Sequence, residues 1–294
     1  MITYKNYLEK ENYAQSTTES YIKQVLFFTK WCTRQNTNAV EIDYKTCLKY
    51  IKHLTRKGNS KKTVNHKLGS LKVYFNYLVR ENYRTENPIE DTTIKGTPKT
   101  IHYNTLETEE LEDLYYSYET NKYQEAYHKY TLKRNKIIIG FIVYQGLNTT
   151  DLANLEIENV HLNKGKIYIK STKRSNAREL ELKSWQFMEI LNYTTEVRPE
   201  LQKRIDNYSE QLFPTNTRFT VITSQIIKKL KRTNHKVKNV NQLRASVITN
   251  WLKQHNLRKV QYLAGHRYIS STERYLQDDL ENLQEIINNF HPIN

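Results

Sequence analysis

Apolar residues recur at helical spacing along most of the chain, and alternate at a period of two in one clear place. After the capping-box pattern Ser16-Thr-Thr-Glu19, the residues Tyr21, Val25, Phe28 and Trp31 or Cys32 share a helical face. A second helix is predicted over 44–56. A third starts after Ser60 and lines up Val64, Leu68, Leu71, Phe75 and Leu78, which leaves Lys61, Lys62, Lys67 and Lys72 to point elsewhere. Residues 84–105 contain Pro88, Gly96 and Pro98 with few large apolar side chains, the composition of a linker. Helices are next predicted from Thr108, from Lys136 to Tyr144 with a stop at Gly146, and from Thr149 to Leu155. Lys166-Ile-Tyr-Ile-Lys170 and Arg178-Glu-Leu-Glu-Leu182 flank a polar turn from Ser171 to Asn176, which predicts a β-hairpin. From Ser184 the pattern is helical again. Leu243, Val247, Ile248, Trp251 and Leu252 mark one buried face, and Leu280, Leu283, Ile286, Ile287 and Phe290 another. The expected fold is mainly α, with a helical domain over 1–90, a linker over 91–105, and a mostly helical second domain over 106–294 that carries a small antiparallel sheet.

Charge narrows the function. Lys and Arg outnumber Asp and Glu by 46 to 31, a net charge of +15, which suits a polyanionic partner. A codon bias toward Lys, Asn, Ile and Tyr would raise the count evenly, but the charge is clustered. Residues 55–80 hold Arg56, Lys57, Lys61, Lys62, Lys67, Lys72 and Arg80 without an acid. Residues 214–276 hold thirteen Lys or Arg, including Lys228, Lys229, Lys231 and Arg232, against the single acid Glu273. Both halves therefore have their own basic surface for a nucleic-acid backbone. After Tyr275 the sign reverses through Asp278, Asp279, Glu281 and Glu285. The two cysteines, Cys32 and Cys47, have no second Cys or His at ligand spacing, so neither a disulfide framework nor a metal site is expected. The start of the chain lacks the character of a secretion signal and no stretch has the length of a membrane span, so a cytoplasmic location without membrane partners is expected.

The chemistry concentrates in Tyr262-Leu-Ala-Gly-His266-Arg-Tyr-Ile-Ser270-Ser-Thr-Glu273-Arg-Tyr275, where a Gly-His pair precedes a tyrosine by nine residues. Ser270 and Glu273 form a second capping-box pattern, which would put Tyr275 one turn inside a new helix. This segment resembles the C-terminal motif of the tyrosine recombinases, or phage-type integrases: Leu-Gly-His, a short loop, then Thr-x-x-Tyr. Leu243-Arg244 is similar to that family's His-x-x-Arg motif, and Gly146-Leu147 through Asp151-Leu152 to its Gly-Leu-Arg-x-Ser-Glu-Leu motif. Counting back along the hairpin puts Lys173 at the family's lysine position. The N-terminal bundle resembles the family's core-binding, SAM-like domain.

The resemblance implies a site-specific recombinase or integrase of a mobile element. Tyr275 would attack a DNA phosphodiester and form a 3′-phosphotyrosine. Arg244 would clamp the nonbridging oxygens, the Arg244 and His266 cations would favour the Tyr275 phenolate, and Lys173 would protonate the leaving 5′ oxygen. No cofactor or metal is expected, because the bond energy is kept in the covalent intermediate. The implied partners are a double-stranded DNA recombination site clamped by both domains and a synaptic tetramer of this chain joined through an acidic C-terminal exchange helix after Gln277. A second recombinase or an accessory factor is a further implied partner.

Two positions depart from the family pattern. Asn148 stands where the first arginine is expected, and Asn241 replaces the leading His of His-x-x-Arg. Losing one preorganised donor to a developing oxyanion costs about 2.7–4 kcal/mol. Either a nearby guanidinium, Arg174 or Arg178, makes up for it and the enzyme is active, or the chain keeps DNA binding and synapsis without efficient cleavage, as an architectural or regulatory protein.

Overall fold

The computed structural model describes residues 3–96, 104–120 and 126–276. The chain divides into two compact units, Met1–Lys99 and Thr100–Asn294, with the division inside the Pro/Gly segment. The apolar C-terminal segment from Leu280 to Phe290 lies outside the described residues.

The first unit is a helical bundle: α1 (Tyr4–Lys10), α2 (Gln15–Arg34), α3 (Tyr44–Arg56) and α4 (Lys61–Arg80). The stripe of α4 is buried as its spacing predicts. Phe75 meets Phe28 of α2 at 5.9 Å, and Phe28 meets Tyr50 of α3 at 5.0 Å. The Ser60 hydroxyl caps α4 by accepting from the Thr63 N–H. The Ser16 capping box does not form: α2 begins one residue earlier, with Ala14 at its cap and no side-chain cap bond. α1 has Leu8 as its sole buried apolar residue, too little for a periodic signal, and is held by Tyr4 and Tyr7 packing on Tyr77 of α4 at 5.3 Å each. Cys32 and Cys47 are buried free thiols in this core, and burial pushes them up to about 11 and about 12.

The second unit continues with α5 (Thr108–Tyr116), α6 (Ala126–Val143) and α7 (Thr149–Asn154). A three-stranded antiparallel sheet follows in the order β1 (Val160–His161), β2 (Lys166–Ile169), β3 (Arg178–Glu181). Its hairpin pairs Ile167 with Leu180 and Ile169 with Arg178. β1 is two residues long, too short for alternation to reveal. Then come α8 (Gln186–Asn192), α9 (Arg198–Ile205), α10 (Phe219–Thr233), α11 (Val240–Gln254), α12 (Leu257–Ala264) and, last among the described residues, the helical segment α13 over 270–276. A π turn, Tyr193–Val197, joins α8 to α9. Among the described residues no helix is long and apolar enough to cross a membrane.

The core gathers Ile138, Ile142 and Phe141 of α6 against Leu243 and Val247 of α11. α11 is buried nearly all round, polar residues included, so it is a central rod rather than an amphipathic surface helix. Its interior polar groups are satisfied: the Gln242 amide donates to the Asn104 and Lys236 carbonyls, and the Ser246 hydroxyl accepts from the Leu106 N–H at 2.9 Å. That rigid seating fixes Arg244, one turn from the helix start.

Candidate active site

Asp151 is the hub of the site. The chain leaves α6 through Gly146 at φ +59°, where an added Cβ would crowd Trp251 and Val247 at 3.2 and 3.3 Å. Asn148 then caps α7: its Oδ1 accepts from the Thr150 and Asp151 N–H groups at 2.8 and 2.9 Å. The Asp151 carboxylate returns a bond from the Asn148 N–H at 3.3 Å, completing a capping box that turns this acid inward.

Two guanidinium groups converge on that carboxylate. Arg178, whose side chain is 0% exposed at the start of β3, donates from Nη2 to Asp151 Oδ2 at 2.7 Å. Its Nε and Nη1 are buried without a partner. Arg244 lies 3.7 Å from the same oxygen. It also donates from Nη1 to the Gly146 carbonyl and from Nη2 to the Ala264 carbonyl, so it ties the turn before α7 to the end of α12. Gly265, at φ +67°, leaves room for Arg178, whose Cζ would lie 2.9 Å from a Cβ placed there. Gly265 thus makes room for Arg178, and Gly146 for Trp251 and Val247.

His266 follows that glycine. Its Nδ1 lies 2.8 Å from the Thr272 hydroxyl, and its ring stacks on Tyr275 with centroids 5.9 Å apart and planes within 5°. Tyr275 is half-buried on α13 beside Ile248, Val260 and Ala264. The Ser270 capping box is not formed: Ser270 is already helical, and the Glu273 N–H donates to the Ile269 carbonyl. Tyr275 still falls inside the new helix.

Burial, followed by the Arg244 and Arg178 charges, pulls the His266 imidazole down to about 4. Burial and the Arg178 charge likewise lower Arg244 from its ordinary value. At neutral pH His266 is therefore an uncharged imidazole, not the cation expected from the sequence, because burial and the two arginine charges disfavour the imidazolium. Because the folded chain holds this ring neutral while an unfolded one protonates near 6.5, stability is lost as pH falls from about 6.5 toward 4. In an imidazole NMR titration of the DNA-free protein, His266 should stay neutral to below pH ~5. A midpoint near 6.5 would contradict this electrostatic picture.

The hairpin turn carries Lys173 and Arg174, both exposed. Its backbone is fastened to the histidine loop through the Asn176 N–H, which donates to the Gly265 carbonyl at 3.0 Å, and through a bridge between Ser175 and His266. Of the two arginines expected near Asn148, Arg178 is thus beside Asp151 and Arg174 is out on the turn. Asn241 is exposed at the start of α11 and lines a cleft of about 440 Å³ with Thr149, Thr220, Ser224, Lys228, Lys231 and Lys238. Arg232 is exposed nearby in sequence, whereas Lys229 sits over the Tyr118 ring at 4.4 Å, away from the cleft lining. Helical spacing explains the difference from Lys228 and Lys231, because adjacent residues of α10 do not share one narrow face. In the first unit Lys61 and Lys62 are exposed, Lys72 is partly buried, and Lys67 donates to Asn59 Oδ1 at 3.0 Å. Among the described residues no three His, Cys, Asp or Glu side chains are grouped to hold a metal ion. Asp151 and Thr272 are the residues that motif reading underrates. The faint signals for them are the third position of a capping box and the threonine three before Tyr275.

Residues 104–282 match the phage integrase family, and residues 1–82 match the phage integrase N-terminal SAM-like domain. Tyrosine recombinase XerC of Oceanobacillus iheyensis is 24% identical over 300 residues, covering 99% of this chain and 95% of that protein. The fold is similar to that of the XerH site-specific recombinase bound to palindromic difH substrate in a post-cleavage complex, with a TM-score of 0.70, 21% identity, and coverage of 96% of this chain and 83% of that one. It is also similar to lambda integrase in a tetramer bound to a Holliday junction, with a TM-score of 0.65, 14% identity, and coverage of 92% and 74%. With more than half of its length matched by the family, this chain belongs to the phage integrase family, the tyrosine recombinases.

Proposed function

We propose that the protein is an active site-specific DNA recombinase that cleaves and rejoins strands through a 3′-phosphotyrosine on Tyr275. The observation that carries the reading is the stacking of Tyr275 on a neutral His266 beside two buried arginines. In the cleavage step the Tyr275 phenol oxygen attacks phosphorus, its proton passes to His266, and the P–O5′ bond breaks. Lys173 protonates the departing 5′ oxygen. Arg244 uses one N–H of each terminal nitrogen to hold the protein backbone, which leaves the rest of its fork for the nonbridging oxygens.

Arg178 makes up for the arginine missing at Asn148, by charge rather than by contact. It lies closer to Asp151 than Arg244 does, at 2.7 against 3.7 Å, so it engages most of the carboxylate's field. The group of Asp151, Arg178 and Arg244 then keeps a net positive charge for the phosphorane-like transition state. Without Arg178 the same carboxylate would neutralise Arg244.

Lys61 and Lys62 in the first unit, and Lys228, Lys231 and Lys238 around the cleft in the second, supply phosphate contacts. The fold relatives bound to DNA, and the tetrameric one above all, support a DNA site and a synaptic tetramer as partners. Binding to duplex DNA should weaken about 10³-fold between roughly 50 and 200 mM salt as counterions are released. A titration that shows no salt dependence would refute these contacts.

The competing reading, a DNA-binding relative without cleavage, is favoured by the commitment of the Asn148 Oδ1 to capping α7. The two readings separate when the protein is incubated with a randomised duplex pool and denatured. An active recombinase leaves DNA covalently attached to protein. Retention of DNA by native binding alone, with nothing surviving denaturation, would establish the competing reading.

A further inference from the structure

Eight residues, 170–177, separate the paired ends of β2 and β3, and the exposed Lys173 lies in the middle of them. A loop of that length has many conformations unless something outside it fixes the tip. Part of the restraint is internal: the Thr172 N–H donates to the Ser175 carbonyl at 2.9 Å, and the Arg174 N–H to the Thr172 hydroxyl at 3.2 Å. The rest comes from the chain around His266. Gly265 accepts from the Asn176 N–H, His266 bridges Ser175, and the Arg267 Nη1 donates to the backbone carbonyl of Lys173 itself at 3.1 Å. Three consecutive residues, 265 to 267, thus hold three points of the turn. Arg267 is the one whose side chain reaches the lysine residue.

We propose that Arg267 is a positioning residue that latches the hairpin turn onto the histidine loop and so aims Lys173 at the leaving oxygen. This rests on the reading of Lys173 as the general acid. Proton transfer needs a donor within about 3 Å of the leaving oxygen, and a four-carbon stem reaches a defined point only if its backbone is held. The latch places the general acid and His266 on one connected piece of chain, so the two proton-handling groups keep a fixed spacing. An exposed arginine beside the pocket has an obvious other use, a direct bond to a DNA phosphate, and the test must tell the two apart.

Leaving-group chemistry does so. When the 5′ bridging oxygen of the scissile phosphate is replaced by sulfur, the departing thiolate needs no proton, and a defect confined to the general acid disappears. The substrate is a nicked duplex with the sequence that the wild-type protein captures from the randomised pool, made with oxygen or sulfur at the bridge. Single-turnover cleavage is measured at saturating protein for wild type, Arg267→Ala, Lys173→Ala and Arg244→Ala. Arg267→Ala should slow cleavage of the oxygen duplex about tenfold, as expected for loosening one backbone position, and should match wild type within about twofold on the sulfur duplex. Lys173→Ala should follow the same pattern with a larger defect, and Arg244→Ala should be slow on both. Equal slowing of Arg267→Ala on both duplexes, or no slowing on oxygen, overturns the latch while Lys173→Ala is still rescued by sulfur. Failure of sulfur to rescue Lys173→Ala overturns the general-acid reading, and the latch with it.

Discussion

Tyr275→Phe is expected to abolish covalent attachment to DNA, with strand cleavage falling by about 10⁴-fold or more, and to leave DNA affinity within about twofold of wild type. The size of the effect follows from chemistry: no other group can form the phosphotyrosine bond, so the loss is of the nucleophile itself. The selectivity follows from geometry. The ring of Tyr275 rests beside Ile248, Val260 and Ala264 and stacks on His266, contacts that phenylalanine keeps. Removing one hydroxyl therefore takes away the reacting atom without opening a cavity. Cleavage and binding are measured on the same duplex, the first by single-turnover quench and the second by anisotropy. Residual cleavage at a tenth of wild type would assign the chemistry to another residue.

Arg178→Met has the second largest expected effect, and it acts on stability as well as rate. The substitution leaves Asp151 buried without its nearest partner, which costs about 3–5 kcal/mol in unfolding free energy. It also turns the carboxylate toward Arg244 and should lower cleavage by about 10²–10³-fold, as if the Arg244 clamp, neutralised by Asp151, were lost as one preorganised donor. A double-mutant cycle separates a charge role from a packing role. In Arg178→Met with Asp151→Asn the orphaned carboxylate is gone and Arg244 regains its charge. That variant should be more stable than Arg178→Met alone and should recover part of the lost rate, a coupling of about 0.5–3 kcal/mol. Urea denaturation and single-turnover cleavage report the two arms. Additive losses in both would mean that Arg178 merely fills space.

Much of this site is legible in the chain because spacing encodes it. His266 and Tyr275 are separated by a tight loop and the first turns of a helix, so their meeting depends on local geometry that a motif records. The hairpin is legible for the same reason, since Ile167, Ile169 and Leu180 alternate with polar neighbours. Arg178 is a harder case. Sequence places it within reach of Asn148, but its burial depends on β3 facing inward at its first residue and on Gly265, far along the chain, leaving space for the guanidinium. α11 misleads in another way: its apolar residues suggest one buried face, yet Gln242, Ser246 and Asn250 are buried as well because distant carbonyls and N–H groups satisfy them. Tertiary partners of that kind leave no periodic trace. The capping boxes read at Ser16 and Ser270 fail because α2 starts one residue before Ser16 and α13 starts at Ser270 itself, which puts each hydroxyl inside the first turn rather than ahead of it.

Tyr275 itself joins to DNA, and the site and polarity of the covalent adduct test this. Protein captured on the nicked duplex is digested with protease and nuclease, and the nucleotide-bearing peptide is sequenced by mass spectrometry. A single modified peptide is expected, with Tyr275 linked to a 3′-phosphate and a free 5′-hydroxyl on the other DNA end. An adduct on a different residue, a 5′ linkage, or DNA cut without any protein attached would contradict it.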